Sequence, residues 1–385
     1  MGKKVFFITA CLVVNIAVIF AIGEIYARTK HGETLSFKSR EARYRRADFE
    51  LHHSLIPNSR GRSVTKEWDV PYSINSLGLR DKEYPVRKDK GAYRILVIGD
   101  SFAEGYGVKA EDSFAKVLER KLNGSLPGGR EYEVINCGVA SYSPLLEYLF
   151  LKKRGLALKP DMVILFYDFA DLKDDYEYEM TTFYASGGTP LASVPYKRVR
   201  AYGSGPLERF LVRHSMFYLY LENRINKVLF KFSDIAGEMP DMEEIDRFIA
   251  FRQGEDNEKK VLELWERSRG YLQMIYGILE ENDIKLVIAS YPYAIEVSEK
   301  EWSEGRTLNG FERDVVYGEP AVAGYLQEFA GERGISFIDL YPDFRESGKY
   351  PLYYAFDGHF NANGHSLVAE SLFRELTDGS VIELK

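Results

Sequence analysis

The chain contains very little cysteine. Only Cys11 and Cys137 occur in its 385 residues. Cys11 lies inside a long apolar run and Cys137 ends a predicted strand, so the two cannot approach closely enough to pair. A disulfide framework and a cysteine metal site are therefore excluded. No metal ion and no other cofactor is expected.

The chain also lacks an excess of basic residues. Its 51 Lys and Arg are outnumbered by 58 Asp and Glu, which leaves a formal net charge of −7. Proteins that bind nucleic acid normally carry clustered basic residues that neutralise phosphates. The composition therefore argues against a nucleic-acid partner, while 45% hydrophobic residues are ample for a sizeable core.

Long apolar runs are absent except at the N-terminus. Lys3 and Lys4 precede residues 5–23, a stretch of nineteen residues with one polar amide and no charge. That length suits a membrane-spanning helix. The charged Glu24 follows where a signal peptide would place small residues for cleavage. We expect residues 1–27 to be an uncleaved anchor, in preference to a signal peptide or a buried globular helix.

The orientation of this anchor is not set by charge alone. Basic residues between positions 28 and 46 outnumber Lys3 and Lys4, and the positive-inside rule read literally points the domain inward. Long domains translocate largely regardless of charge, however, and most of these residues lie at or beyond the distance that counts. We expect a single-pass protein of the cytoplasmic membrane whose domain is extracytoplasmic.

The remaining chain divides into a tether and one domain. Residues 28–65 are charged, turn-rich and poorly periodic, which is typical of a tether, and residues 66–385 form the domain. Strands are predicted at 95–99, 132–137, 161–167, 284–290 and 335–339, and helices at 112–123, 144–156, 257–282 and 320–333. This alternation predicts an α/β fold, with right-handed crossovers and a parallel sheet covered by helices.

An insertion at about 176–255 interrupts the alternation. Its apolar residues fall near helical spacing: Leu207, Phe210, Leu211, Phe217, Leu221, Ile225, Val228, Leu229 and Phe232. The helix is amphipathic, so we expect it to pack onto the main domain. A lid or a helix on the membrane surface is the alternative.

The stretch "LVIGDSFAEG" places Ser101 just past the carboxyl end of a strand, where open α/β sheets bind their ligands. Ser101 is then either a nucleophile or a helix cap, and a nucleophile needs a base within hydrogen-bond reach. His359 and His365 remain as candidates once the histidines of the tether and insertion are set aside: His31, His52, His53 and His214. Asp357 lies two residues before His359, so in an extended segment it points the same way and can orient the imidazole. His365 follows a glycine at a helix start and is expected to be structural.

Four motifs resemble, in order, the sequence blocks of the SGNH (GDSL-type) hydrolase superfamily: "GDSF", "INCGVASYSP", "FYDFADL" and "DGHFNANGH". The upstream "INSLGLRDKEY" is similar to the lead-in of membrane-anchored bacterial members. The resemblance covers roughly residues 70–375 apart from the insertion, and it implies a three-layer, flavodoxin-like α/β/α sandwich. It also implies that Ser101 is the nucleophile, His359 the base and Asp357 its partner, with the backbone N–H groups of Ser101 and Gly138 as oxyanion donors.

The sequence departs from the family pattern at two places. The usual D-x-x-H spacing is replaced by D-x-H, which some polysaccharide-acetylating relatives share. The third block normally carries an asparagine whose side chain completes the oxyanion hole, and Ala170 stands there instead. Ser141 and Tyr142 are candidates to supply the missing donor.

These residues predict a membrane-anchored serine esterase that acts through an acyl-serine on an acylated carbohydrate of the cell envelope. One alternative is an O-acyltransferase that delivers the acyl group to a polysaccharide hydroxyl instead of water. Another is a catalytically silent binding protein, which Ala170 permits. The acidic residues after the third strand are expected to form a solvated loop rather than a calcium site: Asp168, Asp171, Asp174 and Asp175.

Overall fold

The computed structural model describes residues 2–41, 43–125, 130–195, 245–379 and 381–382, together with parts of the segment 207–224. The chain begins with helix α1 (Gly2–Glu41), which is 40 residues and about 60 Å long. Within the described residues, Lys3–Lys30 is the one stretch of helix long and apolar enough to cross a membrane. The predicted anchor is therefore a candidate single membrane span.

Residues 28–65, which we expected to be a tether, contain regular structure. Helix α1 continues to Glu41 and is followed by two antiparallel hairpins. Their strands are β1 (Arg45–Asp48), β2 (His52–Leu55), β3 (Arg60–Val64) and β4 (Asp69–Ser73). These strands have four or five residues each, too few for a clear period. The polar residues of β1 and β2 are mostly buried, whereas those of β3 and β4 are largely exposed.

The centre of the domain is a five-stranded parallel sheet. The strands that follow β4 are β5 (Tyr93–Gly99), β6 (Tyr132–Asn136), β7 (Met162–Tyr167), β8 (Thr182–Tyr184), β9 (Pro190–Ser193), β10 (Lys285–Ser290) and β11 (Ser336–Asp339). The sheet has the order β11-β10-β7-β5-β6, and β8 and β9 form a separate hairpin in the insertion. The five predicted strands thus lie where the structure has them.

Helices cover both faces of this sheet. They are α2 (Ser101–Glu104), α3 (Phe114–Ser125), α4 (Pro144–Phe150), α5 (Asp171–Glu179), α6 (Glu255–Glu280), α7 (Ala294–Val297), α8 (Gly305–Leu308), α9 (Ala321–Arg333), α10 (Tyr341–Glu346) and α11 (Ala362–Asp378). Helix α3 packs with α11, whereas α4 and α5 pack with α6. The strand order with right-handed crossovers puts these two groups on opposite faces. The three-layer α/β/α prediction is confirmed.

The central strands are buried on both faces, as parallel strands between helical layers must be. Every residue of β6 and of β7 is buried, and the apolar core of β5 from Ile95 to Ile98 is at most 1% exposed. These strands are rich in Val, Ile and Leu, which pack well on a pleated sheet. Polar side chains are therefore concentrated beyond the carboxyl ends of the strands.

The insertion contacts the anchor helix. The Glu24 carboxylate accepts hydrogen bonds from the backbone N–H groups of Met216 (3.1 Å) and Phe217 (2.9 Å) and from the Ser215 hydroxyl (3.0 Å). The Phe217 ring packs edge-on against Phe20, 5.2 Å between centroids. The described residues around 215–217 therefore lie against α1, whereas the hairpin β8–β9 and residues 245–255 contact the domain. Residues 225–244, which hold the second half of the predicted amphipathic helix, lie outside the described residues.

Candidate active site

Ser101 is presented by a sharp turn from strand to helix. Strand β5 ends at Gly99, Asp100 caps α2, and its Oδ1 accepts the Phe102 N–H at 2.8 Å. A Cβ at Gly99 would lie 2.8 Å from the Ala103 side chain and 3.0 Å from the Phe166 carbonyl oxygen. Only glycine allows this approach, so the turn and the placement of Ser101 follow from the sequence "GDS".

Ser101, His359 and Asp357 form one hydrogen-bonded chain. Ser101 Oγ lies 2.7 Å from His359 Nε2, although the two residues are 258 positions apart in sequence. His359 Nδ1 contacts Asp357 Oδ1 on the other side of the ring. A proton on Nδ1, shared with the carboxylate, leaves Nε2 free to accept the serine proton. The three residues that the motifs singled out are thus brought together.

The charge state of Asp357 suits this arrangement. Burial alone would raise the pKa of its carboxyl, but the adjacent His359 outweighs burial and the pKa is lowered. Asp357 is therefore ionised at neutral pH and can accept a hydrogen bond from the imidazole.

A residue of the N-terminal hairpins holds the loop that carries this pair. The Glu67 carboxylate accepts the backbone N–H groups of Phe356 and Asp357, both at 2.9 Å. Glu67 lies in the turn between β3 and β4. Its two hydrogen bonds fix the backbone immediately before His359.

Other residues from the same N-terminal region brace the loops around Ser101. Arg45 forms a buried ion pair with Glu104 at 2.6 Å, and Glu104 also accepts the Ala140 N–H at 2.7 Å. Arg80, from the "INSLGLRDKEY" lead-in, donates to the carbonyl oxygens of Glu104 and Gly105 at the end of α2. These contacts tie the serine helix to the loop after β6.

His52 and His53, which we assigned to the tether, are buried beside that loop. His53 Nε2 lies 2.8 Å from the Ala140 carbonyl oxygen and His52 Nδ1 lies 3.0 Å from His53 Nδ1. Burial lowers the pKa of His52 to about 3 and that of His53 to about 4. Both rings are therefore neutral structural groups.

The two expected oxyanion donors lie on α2 and on the loop that packs against it. Ser101 is the first residue of α2, where a backbone N–H has no acceptor inside the helix. A Cβ at Gly138 would lie 2.4 Å from the Glu104 nitrogen, so only glycine lets the loop approach α2 this closely. The Gly138 N–H donates to the Asn136 side-chain oxygen at 3.0 Å. A substrate oxygen would have to share this N–H with the Asn136 oxygen or displace that oxygen.

The structure offers no side-chain donor at Ala170, and the Tyr142 hydroxyl already has another acceptor. Ala170 precedes α5 and is 6% exposed. The buried Tyr142 hydroxyl donates to the His53 carbonyl oxygen at 2.8 Å, on the side of the N-terminal hairpins. Ser141 has a positive φ of 64° and is exposed. Neither residue lines the cavity beside His359 in the described part of the chain.

The acidic residues after β7 form a buried network rather than a solvated loop. Asp168 accepts hydrogen bonds from the hydroxyls of Tyr291 and Tyr293, both at 2.9 Å, and Asp175 accepts from Ser143 at 2.6 Å. The expectation of solvation fails because the tyrosines after β10 and the start of α4 cover these carboxylates. No cluster of three or more metal-ligating side chains occurs among the described residues.

Asp100 connects this network to the nucleophile. Its Oδ2 accepts a hydrogen bond from Ser101 Oγ at 3.2 Å. Burial, together with the nearby Asp168, raises the pKa of Asp100 to about 7. A carboxyl that changes protonation near neutral pH therefore lies directly against the serine hydroxyl.

A cavity of about 120 Å³ opens beside His359. Its walls are mainly aromatic and include Phe102, Phe248, Tyr293 and Trp302, and its polar side chains are Arg247, Asn309, Asp357 and His359. A larger groove of about 420 Å³ lies at the amino ends of β10 and β11, away from Ser101 and His359. The small cavity is the one that His359 and Asp357 line.

Sequence analysis missed Glu67 and Arg247. Glu67 lies at the very start of the predicted domain and Arg247 lies in the insertion, and no motif marks either residue. Each reaches the site through tertiary packing alone. The similarity of "INSLGLRDKEY" to the lead-in of membrane-anchored relatives was the one available signal that the N-terminal region belongs to the domain.

The parallel sheet gathers the four motif-bearing loops at its carboxyl edge around Ser101. No family model matches the sequence, and no curated protein matches it. Similar solved structures include a lipolytic protein of the G-D-S-L family from Desulfitobacterium hafniense, with 16% identity over 73% of this chain and 98% of that one, at a TM-score of 0.37.

Two further solved structures are similar. An acetylxylan esterase from Geobacillus stearothermophilus has 14% identity, covers 74% of this chain and 94% of that one, and gives a TM-score of 0.39. A lipase/acylhydrolase from Enterococcus faecalis has 17% identity, covers 74% and 96% respectively, and gives a TM-score of 0.38. At these identities and TM-scores the similarities say nothing about the substrate of this chain.

Proposed function

We propose that the protein is a serine esterase in which Ser101 carries the acyl group between two half-reactions. The single observation that supports this most strongly is the 2.7 Å contact between Ser101 Oγ and His359 Nε2, with Asp357 on the opposite ring nitrogen. A serine hydroxyl is inert at neutral pH unless a base lies within reach. His359 is that base in this proposal.

In the first half-reaction His359 Nε2 takes the Ser101 proton while Oγ bonds to the ester carbonyl carbon. The tetrahedral intermediate collapses, the C–O bond to the leaving alcohol breaks, and His359 returns the proton to that alcohol. In the second half-reaction His359 removes a proton from water, which attacks the acyl-serine. The carboxylic acid leaves and Ser101 regains its proton.

The negative charge that develops on the carbonyl oxygen needs donors. The N–H groups of Ser101 and Gly138 are the two that we assign to it, and Ala170 contributes none. Loss of one such donor typically costs about 2.7–4 kcal/mol of transition-state stabilisation. We therefore expect a slow esterase.

We propose that the substrate is an acyl ester of a carbohydrate of the cell envelope, with the domain on the extracytoplasmic side of the membrane. The aromatic walls of the cavity support a carbohydrate, because Tyr293 and Trp302 can pack against the apolar faces of a sugar ring. The apolar helix Lys3–Lys30 supports a location at a membrane. A sugar hydroxyl in place of water would make the same acyl-serine an O-acyltransferase.

The test is turnover of 4-methylumbelliferyl acetate by the full-length chain in detergent, with and without oligosaccharide acceptors. We expect release of acetate, with rates that fall about 10³-fold or more in Ser101→Ala and in His359→Ala. Ser347→Ala, a serine outside the site, should retain the wild-type rate. Transfer of acetate to the acceptor would identify a transferase, and no turnover under either condition would contradict the proposal and favour a silent binding protein.

A further inference from the structure

The cavity beside His359 contains one cationic side chain. Arg247 lines it together with Asn309 and the aromatic residues already described. Arg247 remains exposed to solvent. Its guanidinium lies in the wall of the cavity, where its charge also acts on Asp168 and Asp174 of the acidic network.

The guanidinium makes few hydrogen bonds to the described residues, although carboxylates lie near it. Its Nη2 donates to the Tyr293 hydroxyl at 3.2 Å, and this is the one hydrogen bond recorded for the Arg247 side chain among the described residues. The Tyr293 hydroxyl in turn donates to Asp168 of the acidic network. Asp168 also accepts hydrogen bonds from the Tyr291 hydroxyl and the Asp171 N–H. An arginine has five N–H donors, so most of those of Arg247 are available to a ligand.

The backbone around Arg247 is held in place. Asp246 accepts the Phe248 N–H at 3.0 Å and the Arg252 Nε at 2.6 Å, and Arg252 also donates to the Asn309 carbonyl oxygen at 3.2 Å. The buried Phe248 ring packs edge-on against Phe311, 5.1 Å between centroids. The turn is thus fixed to the segment after α8, and Arg247 is positioned before any ligand arrives.

The strand order separates Arg247 from the oxyanion donors. Gly138 follows β6, on one side of Ser101, whereas Tyr293, which contacts Arg247, follows β10 on the other side. Ala170 follows β7, on the same side of Ser101 as Tyr293. The N–H donors of Arg247 that Tyr293 does not use are therefore available to a ligand on that side of the site.

We propose that Arg247 binds an anionic group on the substrate, so that the acylated sugar carries a carboxylate, phosphate or sulfate near the ester. This inference rests on the proposed function and specifies its substrate class. A guanidinium pairs with such oxyanions through two parallel N–H bonds, while the aromatic walls hold the apolar faces of the ring. The insertion thereby provides specificity for the reaction that Ser101 and His359 perform.

The test compares neutral and anionic sugars as inhibitors of 4-methylumbelliferyl acetate hydrolysis by the full-length chain. Glucuronate should inhibit at a concentration about tenfold or more below that required for glucose, because a charge-assisted hydrogen bond exceeds a neutral one. Arg247→Gln should abolish this preference and Arg247→Lys should retain part of it. Arg313→Gln, which removes the same charge at an exposed position, should leave it unchanged.

A binding measurement separates this inference from the proposed function. Saturation-transfer NMR of glucuronate and glucose with Ser101→Ala requires no turnover, so an Arg247-dependent preference there supports the inference even if no ester is hydrolysed. A stronger response to glucose 6-phosphate or glucose 6-sulfate than to glucuronate supports it with that group as the anion. Equal binding of neutral and anionic sugars, or a preference that survives Arg247→Gln, overturns it.

Discussion

Ala170 is the residue at which the site differs most from the pattern that its motifs otherwise follow. Its side chain has no hydrogen-bond donor, the Tyr142 hydroxyl donates to the His53 carbonyl oxygen, and Ser141 is exposed. In the reaction that we propose, two backbone N–H groups stabilise the oxyanion. A third donor, introduced at position 170, should therefore increase the rate.

We predict that Ala170→Asn increases kcat for an acetyl ester by about tenfold to 10²-fold with little change in KM, since the added amide acts mainly on transition-state charge. Asparagine is also favoured at a helix N-cap, so the fold should tolerate it. Ala170→Leu adds similar volume without a donor and should give no gain. A large loss of kcat in Ser141→Ala or Tyr142→Phe, together with no gain in Ala170→Asn, would contradict this prediction. That result would show that another side chain completes the oxyanion hole.

His365 has a structural role at the residue scale. Its Nδ1 accepts the Phe114 N–H at 3.3 Å, and burial lowers the pKa of the ring to about 3. The unfolded chain binds a proton near pH 6.5 whereas the folded chain does not. Stability from this group is thus fully present above about pH 6.5 and falls as the pH decreases toward 3.

We predict that the free energy of unfolding of the wild type falls more steeply between pH 6.5 and 5 than that of His365→Gln, by about 1.4 kcal/mol per pH unit. The variant should be less stable at pH 7.5, because the buried ring packs against Phe114 and Phe360. Urea unfolding at several pH values provides the measurement. The exposed His214→Gln should keep the wild-type slope, and equal slopes in wild type and His365→Gln would refute the assignment.

At the scale of elements, the hairpins β1–β2 and β3–β4 support the catalytic loops. Arg45 pairs with Glu104, which accepts the Ala140 N–H in the loop after β6. His53 hydrogen-bonds to the Ala140 carbonyl oxygen. Glu67 accepts backbone N–H groups of the loop before His359. A segment that looks like a linker is therefore part of the site. Glu67 and His53 hydrogen-bond to backbone groups of the loops that carry the motifs.

We predict that Glu67→Ala lowers kcat about tenfold with a smaller change in KM, because the N–H groups of Phe356 and Asp357 lose their acceptor and His359 is held less rigidly. Glu67→Gln keeps one acceptor oxygen and should restore part of the rate. Glu83→Ala is the matched control, since Glu83 also accepts a backbone N–H, that of Ser76, but away from Ser101 and His359. Wild-type kcat in Glu67→Ala would exclude the positioning role.

The central strands could be predicted from sequence because Ile95–Ile98 and Met162–Tyr167 are continuous apolar runs bounded by turn residues. The reactive residues could be singled out because the "GDSF" turn and the D-x-H spacing mark them locally. The hairpins could not be predicted, because strands of four or five residues are too short to show an alternation of apolar and polar residues. Arg247 could not be either, because its position depends on how the insertion folds back over Tyr293.

At the scale of the whole molecule, the anchor, the insertion and the cavity are connected. Glu24 on α1 binds the start of the helical turn at Met216 and Phe217, and Arg247 near the end of the insertion lines the cavity. The insertion thus contacts the candidate membrane span at one place and the site at another. We expect the catalytic cleft to lie near the membrane surface.

We predict that the intact protein sediments with membranes and is released by detergent but not by 1 M salt, because apolar burial in lipid is not screened by ions. Release by salt would show that the protein associates peripherally with the membrane and would contradict the predicted anchor. Protease added to intact spheroplasts should digest the domain if it is extracytoplasmic. Protection until the spheroplasts are lysed would contradict that orientation.

The central claim is that Ser101 is a nucleophile activated by His359. The most direct measurement is labelling of the full-length chain with a fluorophosphonate, followed by intact-mass determination and peptide mapping. We predict a single adduct on the peptide that contains Ser101, no adduct in Ser101→Ala, and labelling slowed about 10²-fold or more in His359→Ala. An unlabelled wild type, or an adduct on any serine other than Ser101, would contradict the claim.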